Sequence, residues 1–163
     1  MNKKTGVILL LIQTVLMLLG CQREERPEHP LFSTEEEALE YFIQDRGING
    51  RIIQLDIGNE EHLILAQSLP ETYSIGEWVH SNGEYAIVAL TGSTDIKNSP
   101  AVGVGFQTME RNGYSLKLAK EMEEPGTIHS QELKLHLSMS DLKEDPIAQK
   151  SKPNLIQSYT VLK

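Results

Sequence analysis

Apolar positions fall along the chain in three regimes. From Val7 to Leu19 they form a run of thirteen residues broken only by Gln13 and Thr14. That is short of the roughly 20 residues that span a bilayer and within the about 7–15 of an export signal. After Leu31 the apolar positions take helical spacing, with Ala38, Leu39, Phe42 and Ile43 on one stripe and Tyr41 at its border. Ser33 is placed to cap this helix with Glu36 closing a reciprocal box. Glu35, Glu36 and Glu37 suit the positive end of the helix dipole, and Gly47 ends the helix.

After Gly50 the period drops to two. Ile53, Leu55 and Ile57 alternate with Gln54 and Asp56 up to a turn at Gly58-Asn59, and His62 to Gln67 reads as a second strand closed by Pro70. Tyr73–His80 and Glu84–Thr91 flank Ser81-Asn82-Gly83, and Ala101–Arg111 and Tyr114–Lys120 flank Asn112-Gly113, so each Asn-Gly pair predicts a hairpin. Leu133, Leu135, Leu137 and Met139 alternate with Lys134, His136 and Ser138, which favours a strand, although Gln131–Met139 also fits a short helix. A polar connection, Asp141–Asn154, then leads to a closing strand over Leu155–Leu162. The expected fold class is α+β: one N-terminal amphipathic helix on a mainly antiparallel β-sheet or a small partly open barrel. This single domain occupies residues 31–163, and no internal repeat is evident.

The first twenty residues begin with Lys3-Lys4, continue as the apolar run and end at Gly20, which divides them as an export signal is divided. The following residue, Cys21, is the only cysteine of the 163, so no intrachain disulfide can form. Leu18-Leu19-Gly20-Cys21 resembles the lipobox of bacterial lipoproteins, with Leu18 and Gly20 at restricted positions and Leu19 at the tolerant one. The resemblance implies diacylglyceryl modification of Cys21, cleavage after Gly20, and retention at the extracytoplasmic face of the cell membrane. Gln22 to Pro30, with two prolines and mixed charge, reads as a tether in which His29 is solvated. Over residues 31–120, the order FSTEEEALEYFIQDRGINGRIIQL, then hairpins with AVGVGFQTMERNGYSLKLA, also resembles small uncharacterised lipoproteins of Gram-positive spore-forming bacteria. That likeness implies no activity.

Charge narrows the partners. Asp and Glu number 23 against 15 Lys and Arg, a formal charge of −8, and removal of Lys3 and Lys4 with the signal leaves the rest more acidic. Such a surface is repelled by nucleic-acid phosphates and anionic headgroups, which disfavours a nucleic-acid partner. The expected partners are the membrane, through lipid on Cys21, and an envelope protein or peptide.

The search for chemistry finds little. Gly103-Val104-Gly105 lacks the further glycine and following helix of a dinucleotide fingerprint. Its two glycines leave a shallow trough on one strand face, suited to helix or backbone packing or to a ligand. His62, His80, His129 and His136 form no HxxxH or HExxH pattern, and no second cysteine supports a thiolate metal site. Ser93 near Asp95 lacks a GxSxG elbow and fits a turn better. The acidic runs suit soluble faces better than a glycosidase pair, which needs a defined separation across a cleft. Trp78 and the strand tyrosines border a groove or pack across strands. The expectation is therefore no catalytic residue, no metal and no cofactor. The leading function is a lipid-anchored binding or accessory protein of the envelope, and the alternatives are a surface-tethered hydrolase and a structural or immunity-like protein.

Overall fold

The computed structural model describes residues 29–58, 61–121, 126–142 and 153–163. The expected export signal, its expected recognition residues Leu18, Leu19 and Gly20, the lipidation candidate Cys21 and the expected tether up to Glu28 lie outside the described residues. Leu31–Lys163 is one compact unit.

It holds one helix, α1 (Glu35–Arg46), and ten strands: β1 (Ile52–Asp56), β2 (His62–Leu69), β3 (Thr72–Ser81), β4 (Glu84–Ala89), β5 (Thr94–Asp95), β6 (Ala101–Gln107), β7 (Gly113–Ala119), β8 (Ile128–Ser130), β9 (Leu135–Asp141) and β10 (Ser158–Val161) among the described residues. The strands make two antiparallel sheets, ordered β10-β1-β2-β3-β4 with β5 added to β3, and β6-β7-β9-β8. The expected helix on an antiparallel sheet is present. The barrel alternative is corrected, because the two sheets stack and do not close on each other.

The stacking follows from the register. Ile53, Leu65 and Ile75 are cross-strand partners and share one face of the first sheet. They meet Phe106, Leu116, Leu118, Leu137 and Met139 of the second sheet in the larger core. The opposite face carries Ile52, Ile64 and Ala66, which join Phe42 and Ile48 in a second core under the helix. β2 therefore buries four residues in succession, Leu63 to Ala66, each with no solvent exposure. Each large side chain so buried contributes about 1.5–3 kcal/mol.

Local signals set the helix ends. Thr34 is the N-cap: its hydroxyl accepts from the Glu37 N–H at 3.2 Å, and the Glu37 carboxylate accepts from the Ser33 N–H at 3.2 Å. The box expected from Ser33 and Glu36 is thus displaced by one residue. Gly47 (φ +60°) takes the left-handed conformation, and the Ile48 N–H reaches the Ile43 carbonyl at 2.9 Å. This turn drives Ile48 into the core beneath the helix.

The glycine that admits the helix is Gly76, not Gly103 or Gly105. A Cβ on Gly76 would lie 3.0 Å from Ile87 Cγ2 and 3.3 Å from Phe42 Cζ. Gly103 and Gly105 lie on β6, an edge strand of the other sheet, and both are exposed. Leu142 lies 3.6 Å from where a Gly105 Cβ would be, so that end of the trough is lined by the chain's own side chain.

Two further expectations change. Asn112-Gly113 is not the second hairpin turn: Gly113 already pairs with Gln107, and the loop is Met109-Glu110-Arg111 with Arg111 left-handed at φ +66°. The Thr108 N–H donates to the Asn112 carbonyl at 2.9 Å and closes it, the pattern of a three-residue hairpin loop. Leu133 precedes β9 in a turn, and β8, which pairs Ile128 with Leu137, had no signal of its own.

The close approach at Gly76 makes a contrast that unfolding can test. Gly76→Val is expected to cost about 1–3 kcal/mol by overpacking against Phe42 and Ile87. Gly103→Val, with only Ser115 Oγ 3.9 Å from its Cβ, is expected to leave the urea midpoint unchanged or raise it. Equal losses at the two positions would refute this placement of the helix.

Candidate functional site

β3 outruns its neighbour. Its register with β2 ends at the pair Leu63–Glu77, while its pairing with β4 continues to Ser81–Glu84 across the Asn82-Gly83 turn. The overhanging β3–β4 hairpin, the start of β2 and the β6–β7 loop leave a cleft of about 720 Å³ between them. Its walls carry Glu35, Glu61, Glu77, Glu110, Trp78 and Tyr85.

Two of these acids are buried. Glu77 shares the inward face with Leu55 and Leu63 and is 5 % exposed, and Glu61 is 8 % exposed. Glu61 is held by three donors: the Tyr114 hydroxyl at 2.6 Å, the Asn112 amide at 2.7 Å and the Thr108 hydroxyl at 3.4 Å. These donors flank the β6–β7 loop, so Glu61 ties the end of the second sheet to the first. Burial, and next the hydrogen bond to Glu61, push the Tyr114 hydroxyl well above the usual tyrosine range.

Glu77 is supported less completely. One oxygen, Oε2, accepts from the Met109 N–H at 2.7 Å. Burial raises the Glu77 pKa, the Met109 bond opposes that rise, and the charges of Glu61 and Glu110 add to it.

Aromatic groups complete the lining. Trp78 lies on the helix side of β3, partly buried against the Phe42 core. Its Nε1 is buried without an acceptor among the described residues. The Tyr85 ring stacks on His80, centroids 4.7 Å apart, and the Tyr85 backbone exchanges two 2.8 Å hydrogen bonds with Phe32. The candidate Trp78 is thus placed in the cleft, whereas Gly103 and Gly105 do not line it.

The other candidates are dispersed. His62 Nδ1 lies 2.8 Å from Asp56 Oδ1 at the mouth of the cleft. Burial acts to raise the Asp56 pKa, but bonds from Ser158, Gln54 and His62 outweigh it and hold the carboxyl below the usual range. His129 and His136 are cross-strand partners with ring centroids 4.6 Å apart on the second sheet. Among the described residues no group of three or more His, Cys, Asp or Glu side chains is arranged to hold a metal ion. Asp95 accepts from the Lys97 N–H at 2.7 Å, a local turn, and Ser93 is exposed beside it. The sequence reading missed Glu61 and Glu77. Glu61 belongs to the Glu60-Glu61 pair, one of the acidic runs that read as soluble faces, and the only signal at Glu77 was a single acid between Gly76 and Trp78 in a strand pattern.

The chain has no significant match to a protein-family model, a curated protein or a solved structure.

The two buried acids have opposite effects on stability. Tyr114→Phe removes a donor from buried Glu61 and is expected to cost about 1–3 kcal/mol. Glu77→Gln keeps an oxygen for the Met109 N–H and removes a poorly supported charge, so it is expected to raise the melting temperature at pH 8. A raised folded pKa means that wild-type stability falls as pH rises from glutamate's ordinary value through the folded value. The advantage of Glu77→Gln therefore shrinks as pH falls through that window, and thermal melts across it check the sign.

Proposed function

We propose that this protein is an extracytoplasmic lipoprotein of the cell membrane, whose sandwich domain serves as a binding or accessory module of the envelope. The observation that carries the anchoring is Leu18-Leu19-Gly20-Cys21, at the end of a thirteen-residue apolar run that follows Lys3-Lys4. The small residue before the cysteine leaves room at a protease site, and the thiol is the nucleophile toward a lipid donor. Two acyl chains, at about 0.8 kcal/mol per buried methylene, make a stable attachment where one is marginal. Gln22 to Pro30 then gives the domain reach.

Binding is favoured over catalysis by how the acids are used. Glu61 has its oxygens occupied by Tyr114, Asn112 and Thr108, so it supports the fold and does not serve as a nucleophile or base. A tethered hydrolase has one observation in its favour, the raised pKa of Glu77 in the cleft. A carboxylate pair needs a second member that is not fully engaged, and the cleft's other buried acid is Glu61.

The anchor reading is tested by the mass of the mature chain in its native membrane. The expected N-terminus is Cys21 carrying a diacylglyceryl group, and Cys21→Ala is expected to move the protein out of the membrane fraction. A mature chain that retains Met1 to Gly20 with a free Cys21 thiol would sink the reading.

A further inference from the structure

We propose that the open edge of β6 pairs with β6 of a second copy of this chain, joining two four-stranded sheets into one across a two-fold axis at Val104. Three observations meet at this edge. The first is its backbone. The Lys120 N–H donates to the Pro100 carbonyl and the Thr108 N–H to the Asn112 carbonyl, both at 2.9 Å, so the even-numbered residues between them turn their amides toward β7. Ala101, Gly103, Gly105 and Gln107 turn theirs outward, and no described residue bonds to these groups. The second is that β6 lacks the devices that keep edge strands apart. Its seven residues include no charge and no proline, and its register with β7 runs without a bulge. The other outer strands are short or covered: β8 has three residues, β10 has four, and β4 is bridged by Phe32 at Tyr85. The third is apolar surface. Val102 and Val104 are only partly buried against the core, and Leu142, 48 % exposed, lies over Gly105 on the opposite face.

The strand that fits this edge is β6 itself. In an antiparallel pairing centred on Val104, Ala101 meets Gln107 of the second copy and Gly103 meets Gly105, so every outward-facing residue of each strand finds a partner. On the core side Val104 meets Val104 and Val102 meets Phe106, β-branched and aromatic pairs that stabilise neighbouring strands. On the outer side the facing glycines leave room for Leu142 to cover the junction. A chain of formal charge −8 repels its own copies, and here two copies meet along a segment where neither carries a charge. A peptide from another protein meets no charge on β6 that selects it. A strand edge is a small interface beside the roughly 1,200–2,000 Å² of stable complexes, so the dimer is reversible and depends on concentration. The inference stands on β6 alone; a shared membrane plane raises the local concentration of copies without entering the pairing.

A thiol placed on the axis tests the pairing. In the full chain carrying Cys21→Ala, the thiol of Val104→Cys is the only one. This protein is oxidised mildly in nonionic detergent and its products are separated without reductant. Facing residues of a non-hydrogen-bonded pair lie about 4.5 Å apart between Cα atoms, within disulfide reach. The expected product is a disulfide-linked dimer as the greater part of the chain. Little is expected from Glu40→Cys, an exposed position on α1, beyond the first sheet. Gly103→Pro, added to Val104→Cys, removes one outward N–H and no bond to β7, and is expected to abolish the crosslink. Gly103→Ala keeps that N–H and is expected to retain it.

Hydrogen exchange of the unsubstituted chain adds a readout that no variant's folding can disturb. The amides of Ala101, Gly103, Gly105 and Gln107 are expected to be protected at high protein concentration and to lose that protection on dilution. Equal dimer yields from cysteines at positions 104 and 40 overturn the proposal. So do outward amides that exchange freely at every concentration. Protection that persists on dilution also overturns it, and assigns the edge to another segment or another envelope component. Loss of the anchor leaves each of these outcomes unchanged, so the two readings fail separately.

Discussion

The rest of the domain depends on covering β1, β2 and β3 on both faces. Ile52 and Ile53, and then Leu63 to Ala66, leave no polar side to turn toward water. A sheet of this kind is stable only between two layers. The second sheet supplies one layer through Leu116, Leu118, Leu137 and Met139, and α1 supplies the other through Ala38 and Phe42. Gly76 follows from the same constraint: Phe42 comes so close to β3 that no side chain fits between them. The three-layer order of helix, sheet and sheet follows from the apolar run in β2.

Much of this was legible in the chain, for reasons that vary with the element. The stripe of α1 and the stop at Gly47 are local, so periodicity and backbone conformation identify them. The Asn82-Gly83 turn is local too, with φ of +54° and +82° at its two residues. Asn112-Gly113 misled because the same dipeptide follows a different loop. Thr108 closes that loop with its own backbone and hydroxyl, and Arg111 takes the left-handed position that an Asn-Gly turn would have filled. β10 is placed by a distant segment, β1, whereas β8 pairs with the adjacent β9 across a turn at residues 131–134 that carries no Asn-Gly signal. Asn154 shows why composition could not reveal this. Within what reads as a polar connection, its amide donates to the Leu137 carbonyl and its oxygen accepts from the Met139 N–H, extending β9's hydrogen bonding where β8 has ended.

The candidate site was less legible than the fold, because it is made of exceptions to the patterns that predict the fold. Glu61 and Glu77 stand where alternation calls for apolar side chains, and from sequence each reads as one more acid in an acidic chain. Their burial arises only when the end of the second sheet closes over the first. Trp78 was singled out as an aromatic that either packs or borders a groove. It does both, because β3 runs past the end of its pairing with β2.

The contrast between the two buried acids shows how hydrogen-bond donors decide the cost of burying a charge. Three donors around Glu61 turn a costly buried carboxylate into a tie between the sheets. Glu77, on the same inward face, has one donor, and burial first and then the charges of Glu61 and Glu110 raise its pKa. A core position selected for stability alone would carry a leucine there, as its cross-strand partner Leu63 does. A buried charge with a single donor gives up folding free energy that the three donors around Glu61 recover. The same inward face therefore holds one acid that joins the two sheets and one that weakens the domain, and the hydrogen-bond donors around each make the difference.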